Sequence, residues 1–163
     1  MIQRIQSIWL VVALVLQLSL FYFPLYTAYS LKPDQPIKAV VLKVHQYETI
    51  SDSKEQKSES SIKPLPLILN FIVSLLILVC IFWYKNRPRQ YQLSRFLILL
   101  DLGLLSWLVF AIENIKNSMA SQVMASTYQI YLSFPVICII LFFIAGRAIM
   151  KDEEKVRASN RIR

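Results

Sequence analysis

Residues 65–112 read LPLILNFIVSLLILVCIFWYKNRPRQYQLSRFLILLDLGLLSWLVFAI, which is two long apolar runs joined by a short basic loop. The loop, Lys85–Arg95, carries four basic residues and no acidic residue. Loops on the cytoplasmic side of membrane proteins are enriched in Lys and Arg. The stretch therefore predicts two antiparallel transmembrane helices with a cytoplasmic connection.

Two further apolar runs flank this pair, so that the predicted spans are about 5–26, 65–84, 96–112 and 128–150. Each has the roughly 20 apolar residues that cross a hydrocarbon core of about 30 Å. Every arginine falls before span 1, between spans 2 and 3, or at the end of span 4 and beyond it. The distribution predicts an all-α membrane protein, a four-helix transmembrane bundle with both termini in the cytoplasm. The whole chain, 1–163, is one domain with a cytoplasmic tail over 151–163.

The first loop, 27–64, is the predicted extracytoplasmic part. Segments 25–31 and 36–50 are joined by a Pro-Asp turn, and the second is rich in β-branched residues, so we expect a β-hairpin on the outer ends of the helices. Residues 51–63 are mostly Ser, Lys and Glu and indicate a flexible linker. Residues 114–127 indicate a short polar loop or helix.

The chain has few of the residue types that catalysis, cofactor binding or metal binding requires. The chain has one histidine, His45, two glycines, and two cysteines, Cys80 and Cys138, both inside spans. No Cys-x-x-Cys, nucleophile triad or phosphate-binding glycine loop is present. We expect no catalytic residue, cofactor or metal, and no enzyme activity. The net charge of +8 follows from cytoplasmic Lys and Arg, so it predicts no nucleic-acid partner.

Asp101 is the only acidic residue deep inside a span, and such residues are functional candidates because burying a charge is costly. Arg147 occupies a similar predicted depth, so the two form a candidate intramembrane polar pair. Gln17 and Asn70 predict hydrogen bonds between helices. A proton- or ion-coupling role for Asp101, with Gln17 and Asn70, is the alternative.

The tail after span 4 is the most patterned polar segment. At about 100° per residue, a helix places Arg147 and four basic residues after it on one broad face. The pattern fits either a solvated helix end or a contact for anionic lipid headgroups or an acidic cytoplasmic protein. The candidate contact residues are Lys151, Lys155, Arg157, Arg161 and Arg163.

Both ends of the chain resemble one family. The opening MIQRIQSIWL (1–10) and the ending RAIMKDEEKVR (147–157) with NRIR (160–163) are similar to small four-span inner-membrane proteins of Gram-negative bacteria, a domain of unknown function. The resemblance implies a bacterial inner membrane and a four-helix bundle, and it supplies no activity or site.

These observations together favour an accessory or scaffold protein that binds membrane lipid and a protein partner in the membrane or at its cytoplasmic face. A small transporter or proton-coupled carrier using Asp101 is the second hypothesis. A third is an enzyme acting on lipid, which would need a lateral opening lined by Asp101 and Arg147.

Overall fold

The computed structural model describes residues 2–30, 38–44, 46–51, 59–62, 64–83, 86–119 and 123–161 of the chain. Helices and strands follow the order α1 Ile2–Ser19, β1 Tyr26–Ser30, β2 Lys38–Leu42, β3 Gln46–Ser51, β4 Glu59–Ile62, α2 Pro64–Phe82, α3 Arg87–Met119, β5 Val123–Tyr128 and α4 Phe134–Arg161. A short 3-10 helix, Ile130–Ser133, precedes α4.

Three helices, α2, α3 and α4, are long and apolar enough to cross a membrane. Within the described part of the chain, the apolar segment of α1, Ser7–Ser19, is shorter than these. Of the four predicted spans, the structure therefore supports three by length and composition. The outer faces of the helices carry large apolar side chains that remain exposed, among them Phe71, Leu99 and Phe143.

The helices pack as a ring, with α1 and α3 each contacting both α2 and α4. The interior is apolar at the inner end, where Leu10, Cys80, Leu97 and Phe142 are buried with no exposed surface. This ring is the part of the fold that positions the polar side chains discussed below.

Helix α3 is much longer than the predicted span 96–112. Its 33 residues correspond to about 50 Å at a rise of about 1.5 Å per residue. Pro88 lies in the first turn, where a missing N–H costs nothing, and no proline follows it within the helix. The helix therefore begins in the basic loop and continues into residues 114–119, which we had predicted as a loop or short helix.

Helix α4 begins later than span 4 was predicted to, because β5 and the 3-10 helix occupy Val123–Ser133. Pro135 is consequently the second residue of α4 rather than an interior proline, and it interrupts no helical hydrogen bond. At the other end α4 runs unbroken to Arg161, as the absence of Gly and Pro after Met150 predicts.

The outer part is a five-stranded antiparallel sheet of order β4-β3-β2-β1-β5. The predicted pairing of the two hairpin strands is confirmed, since β1 and β2 are antiparallel and Tyr26 of β1 lies opposite Leu42 of β2. Segment 36–50 nevertheless holds two strands, and β4 lies within the predicted linker, whose residues 52–58 fall outside the described parts. Strand β5 joins the sheet from a segment predicted as loop or helix.

The sheet packs on the outer end of α3. Tyr26, Ala28 and Leu42 form a buried cluster with Ala111 and Ile115 of that helix. Helix α3 therefore contributes to both layers, because it packs in the helix ring and against the sheet.

Candidate functional site

A buried polar cluster lies inside the ring, where α1, α2 and α3 meet. It consists of Gln17, Asn70 and Asp101, and none of the three has exposed surface. The Gln17 Nε2 group donates to Asn70 Oδ1 at 2.8 Å and to Asp101 Oδ1 at 3.4 Å. Asn70 Nδ2 donates to the main-chain oxygen of Gln17 at 3.5 Å. We call these three residues the polar cluster.

The positions of Gln17, Asn70 and Asp101 within their helices explain why these residues, distant in sequence, lie at the same depth in the helix ring. Gln17 lies near the C-terminal end of α1, and Asn70 lies in the second turn of α2. Asp101 lies close to the middle of the long helix α3. Asp101 is six residues after Arg95, but the helix begins two turns earlier, at Arg87.

The polar cluster is held by contacts to its surroundings. Ser74 Oγ donates to the main-chain oxygen of Asn70 at 2.9 Å, one turn along α2. On the far side of α1, the Cys138 thiol of α4 lies 3.6 Å from the main-chain oxygen of Ala13. The thiol is free and buried, as expected for a packing residue.

Within the described parts of the chain, two oxygen atoms of the polar cluster have no hydrogen-bond partner, Gln17 Oε1 and Asp101 Oδ2. Both are acceptors in a buried site, where an uncompensated carboxylate is costly. These two oxygens are therefore free to accept a further hydrogen bond.

The structure does not bring Arg147 to Asp101. The carboxylate of Asp101 is bonded by Gln17, whereas the Arg147 guanidinium lies 5.3 Å from the centre of the Phe143 ring. Arg147 is exposed and Asp101 is buried, so the two side chains have different surroundings. The predicted pair is replaced by a bond to Gln17, because an amide was available at the same level of the ring.

Arg147 instead lines a groove between the inner parts of α3 and α4, which we call the α3–α4 groove. It contains a cavity of about 700 Å³ and an adjoining one of about 70 Å³. The larger is lined by Tyr91, Arg147, Ala148, Met150, Lys151 and Glu154. The smaller is lined by Tyr91, Ser94, Arg95, Ile98, Phe142, Phe143, Gly146 and Arg147. Asp101 lines neither cavity.

The extension of α4 beyond the ring is tied to the start of α3. Arg87 Nη2 lies 3.3 Å from Asp152 Oδ2, an ion-pair contact without hydrogen-bond alignment, and Asp152 is only 9% exposed. Lys151 and Lys155 are exposed on this extension. Arg157 and Arg161 lie on α4, but their side chains are outside the parts that the structure describes. Arg163 lies wholly outside the described residues.

Sequence reasoning missed two of these features. The Arg87–Asp152 contact was unforeseen because Arg87 was assigned to the basic loop and Asp152 to the cytoplasmic tail. Gln90 was read as a loop residue, yet it is buried and its Nε2 donates to the main-chain oxygen of Cys80 at 3.0 Å. The signal for the Gln90 contact was the short connection, which brings the start of α3 against the end of α2. The Arg87–Asp152 contact joins α3 to α4 and had no such local signal. Among the described residues, no group of three or more His, Cys, Asp or Glu could hold a metal ion.

The chain belongs to the family described as a domain of unknown function, DUF4293, whose model matches residues 2–162. The match extends over the length of the chain, whereas the resemblance in the sequence rested on its two ends. A search of curated proteins finds no match to this chain.

Proposed function

We propose that this protein is an accessory or scaffold component of a bacterial inner membrane, which presents its α4 extension to a protein partner at the cytoplasmic face. The observation that carries the proposal is the Arg87–Asp152 contact at 3.3 Å. A merely solvated helix end has no need of a contact that fixes it to the neighbouring helix. Fixed in this way, the extension presents Lys151 and Lys155 in a defined direction.

The membrane placement is supported by the exposed apolar faces of the helices. Leu99 is 65% exposed and Phe110 is 64% exposed, and both lie on α3. Contiguous apolar surface of this kind marks a membrane or protein contact. The basic loop between α2 and α3 supports an orientation with both termini in the cytoplasm.

Cysteine labelling tests the orientation. Single cysteines at Ser53 and Asn117 are expected to react with an impermeant thiol reagent added to intact cells, and cysteines at Asn86 and Ser159 only after permeabilisation. Reaction of the Asn86 label from outside would reverse the orientation and remove the proposed cytoplasmic partner.

The partner itself is tested with the outermost basic residues of the tail. A helix rising about 1.5 Å per residue carries Arg157 and Arg161 beyond the Debye length of about 8 to 10 Å within which headgroups act. Arg163 follows them in the sequence. We expect the triple change to Gln to leave insertion and stability intact and to weaken co-purification of a cytoplasmic-side partner. The matched triple change to Lys, which keeps the charge, is expected to retain more of that partner. A triple Gln variant that keeps every partner of the wild type contradicts the proposal.

A second candidate function, a proton-coupled carrier, is favoured by one specific observation. Among the residues that the structure describes, neither Asp101 Oδ2 nor Gln17 Oε1 has a hydrogen-bond partner, and both atoms are buried. In proteoliposomes with an imposed pH gradient, the carrier hypothesis expects proton flux through the wild type and none through Asp101→Asn of unchanged fold. Equal flux in both, or no flux in either, would remove Asp101 from any coupling role.

A further inference from the structure

The α3–α4 groove combines cationic groups with an apolar wall. Arg95 and Arg147 approach it from the two helices, and both line the smaller cavity of about 70 Å³. Lys151 and Glu154 line the larger cavity. Three cations and one anion give the groove a net charge of +2, so it complements an anionic ligand.

The two guanidiniums are positioned by aromatic rings rather than by acids. Arg95 lies 4.5 Å from the centre of the Tyr91 ring, and Arg147 lies 5.3 Å from that of Phe143. Within the described parts of the chain, ion pairs join Lys43 to Glu48 and Arg87 to Asp152, and neither guanidinium takes part in them. A cation–π contact uses none of the guanidinium N–H groups as hydrogen-bond donors to an acid, and these groups match the oxygens of a phosphate.

The groove changes character along its length. Beyond the cations it is lined by Ile98, Phe142 and Phe143. Its floor is formed where Gly146 lets the two helices approach, since a Cβ there would lie 3.0 Å from Ser94 Oγ. The charged end also lies next to the start of the apolar part of α3, at Phe96, which is 50% exposed.

We propose that the α3–α4 groove binds one anionic phospholipid, with the headgroup phosphate between Arg95 and Arg147 and an acyl chain along Ile98 and Phe143. An acidic peptide would use the cations but not the apolar wall, whereas a phospholipid uses both. The site rests on the membrane placement proposed above and is independent of a protein partner at the tail.

The test measures lipid binding to the purified full chain in a neutral detergent, by native mass spectrometry. Phosphatidylglycerol is the probe. Phosphatidylcholine tests whether a lipid with no net headgroup charge binds equally well, and glycerol phosphate tests whether the phosphate binds without acyl chains. The wild type is expected to bind phosphatidylglycerol in preference to both. Equal binding of phosphatidylcholine, or of glycerol phosphate, overturns the proposal.

Variants then locate the site. Arg95→Gln with Arg147→Gln should weaken phosphatidylglycerol binding at least roughly tenfold, because charge-assisted hydrogen bonds to the phosphate are lost. The control, Arg89→Gln with Lys116→Gln, removes the same charge from residues of α3 that line neither cavity and should bind as the wild type does. Equal weakening in both variants would show general electrostatic attraction and overturn a defined site.

A measurement on the wild type alone keeps the proposal falsifiable if the variants misfold. A photoactivatable phosphatidylglycerol, cross-linked and mapped by peptide mass spectrometry, is expected to label residues 91–98 and 142–151. Labelling confined to other segments overturns the site. Failure of the proposed scaffold role would appear separately, as unchanged co-purification in the tail variant, whatever the lipid result.

Discussion

The bond between Gln17 and Asn70 is the shortest contact of the polar cluster, and its contribution to stability can be measured. Gln17 Nε2 donates to Asn70 Oδ1 at 2.8 Å, and the return contact from Asn70 Nδ2 is weaker, at 3.5 Å. Hydrogen bonds between membrane helices contribute about 0.6 kcal/mol on average and about 1.7 kcal/mol at most. Because this bond is short and buried, we expect a coupling energy of about 1 kcal/mol between the two side chains.

The assay is a double-mutant cycle with Gln17→Leu and Asn70→Leu. Each single variant leaves a buried amide without its partner and should lower the free energy of unfolding by about 1 to 2 kcal/mol. In Asn70→Leu, Gln17 keeps its longer contact to Asp101 Oδ1 at 3.4 Å, so this variant should be the less destabilised. The double variant should cost less than the sum of the two, because neither amide is left unpaired.

Reversible unfolding in mixed detergent micelles, followed by circular dichroism, gives the four free energies. Asn70→Leu combined with Ser106→Ala is the matched control. Ser106 is exposed on α3, so its effect should add to that of Asn70→Leu within about 0.5 kcal/mol. A coupling between Gln17 and Asn70 no larger than that of the control would refute the claim that their bond joins α1 to α2.

Two further predictions follow from the packing of α3 and α4. Asp101→Asn and Arg147→Gln should change the free energy of unfolding, measured by thermal melting, additively within about 0.5 kcal/mol, because the structure separates the two side chains. A coupling energy above about 1 kcal/mol would instead support the predicted ion pair. Gly103→Ala should raise the free energy of unfolding by about 0.5 to 1 kcal/mol, since nothing lies within 4 Å of the new methyl group and alanine favours a helix. Gly146→Ala should yield less of this gain, because its methyl group would lie 3.0 Å from Ser94 Oγ, and equal stabilisation of the two variants would contradict the close packing at Gly146.

Several features of the fold could be predicted from local sequence. Helix α2 lies within a residue or two of its predicted span, since Pro64 starts it and the apolar run ends at Trp83. The β1–β2 pairing and the unbroken course of α4 past Met150 were also predictable from local signals, namely a Pro-Asp turn and the lack of Gly or Pro. Such features depend on residues that are close in the chain.

The candidate site was predicted only in its components. Asp101, Gln17 and Asn70 were each identifiable as polar residues inside apolar runs, because such residues must find partners. Which partners they find depends on helix rotation and on the level at which the helices meet. Asp101 lies near the middle of the 33-residue helix α3, and the side chain that donates to it is Gln17 of α1 rather than Arg147.

The sequence by itself determined the apolar helices, the basic loop that indicates their orientation, and the small set of buried polar residues, because each follows from composition along a short stretch. Only the tertiary structure decided that β5 pairs with β1 at the edge of the sheet, that Arg87 contacts Asp152, and that Arg95 and Arg147 line one groove. These contacts join residues about 50 to 100 positions apart. Their geometry depends on how whole helices pack, and no local pattern in the chain encodes that packing.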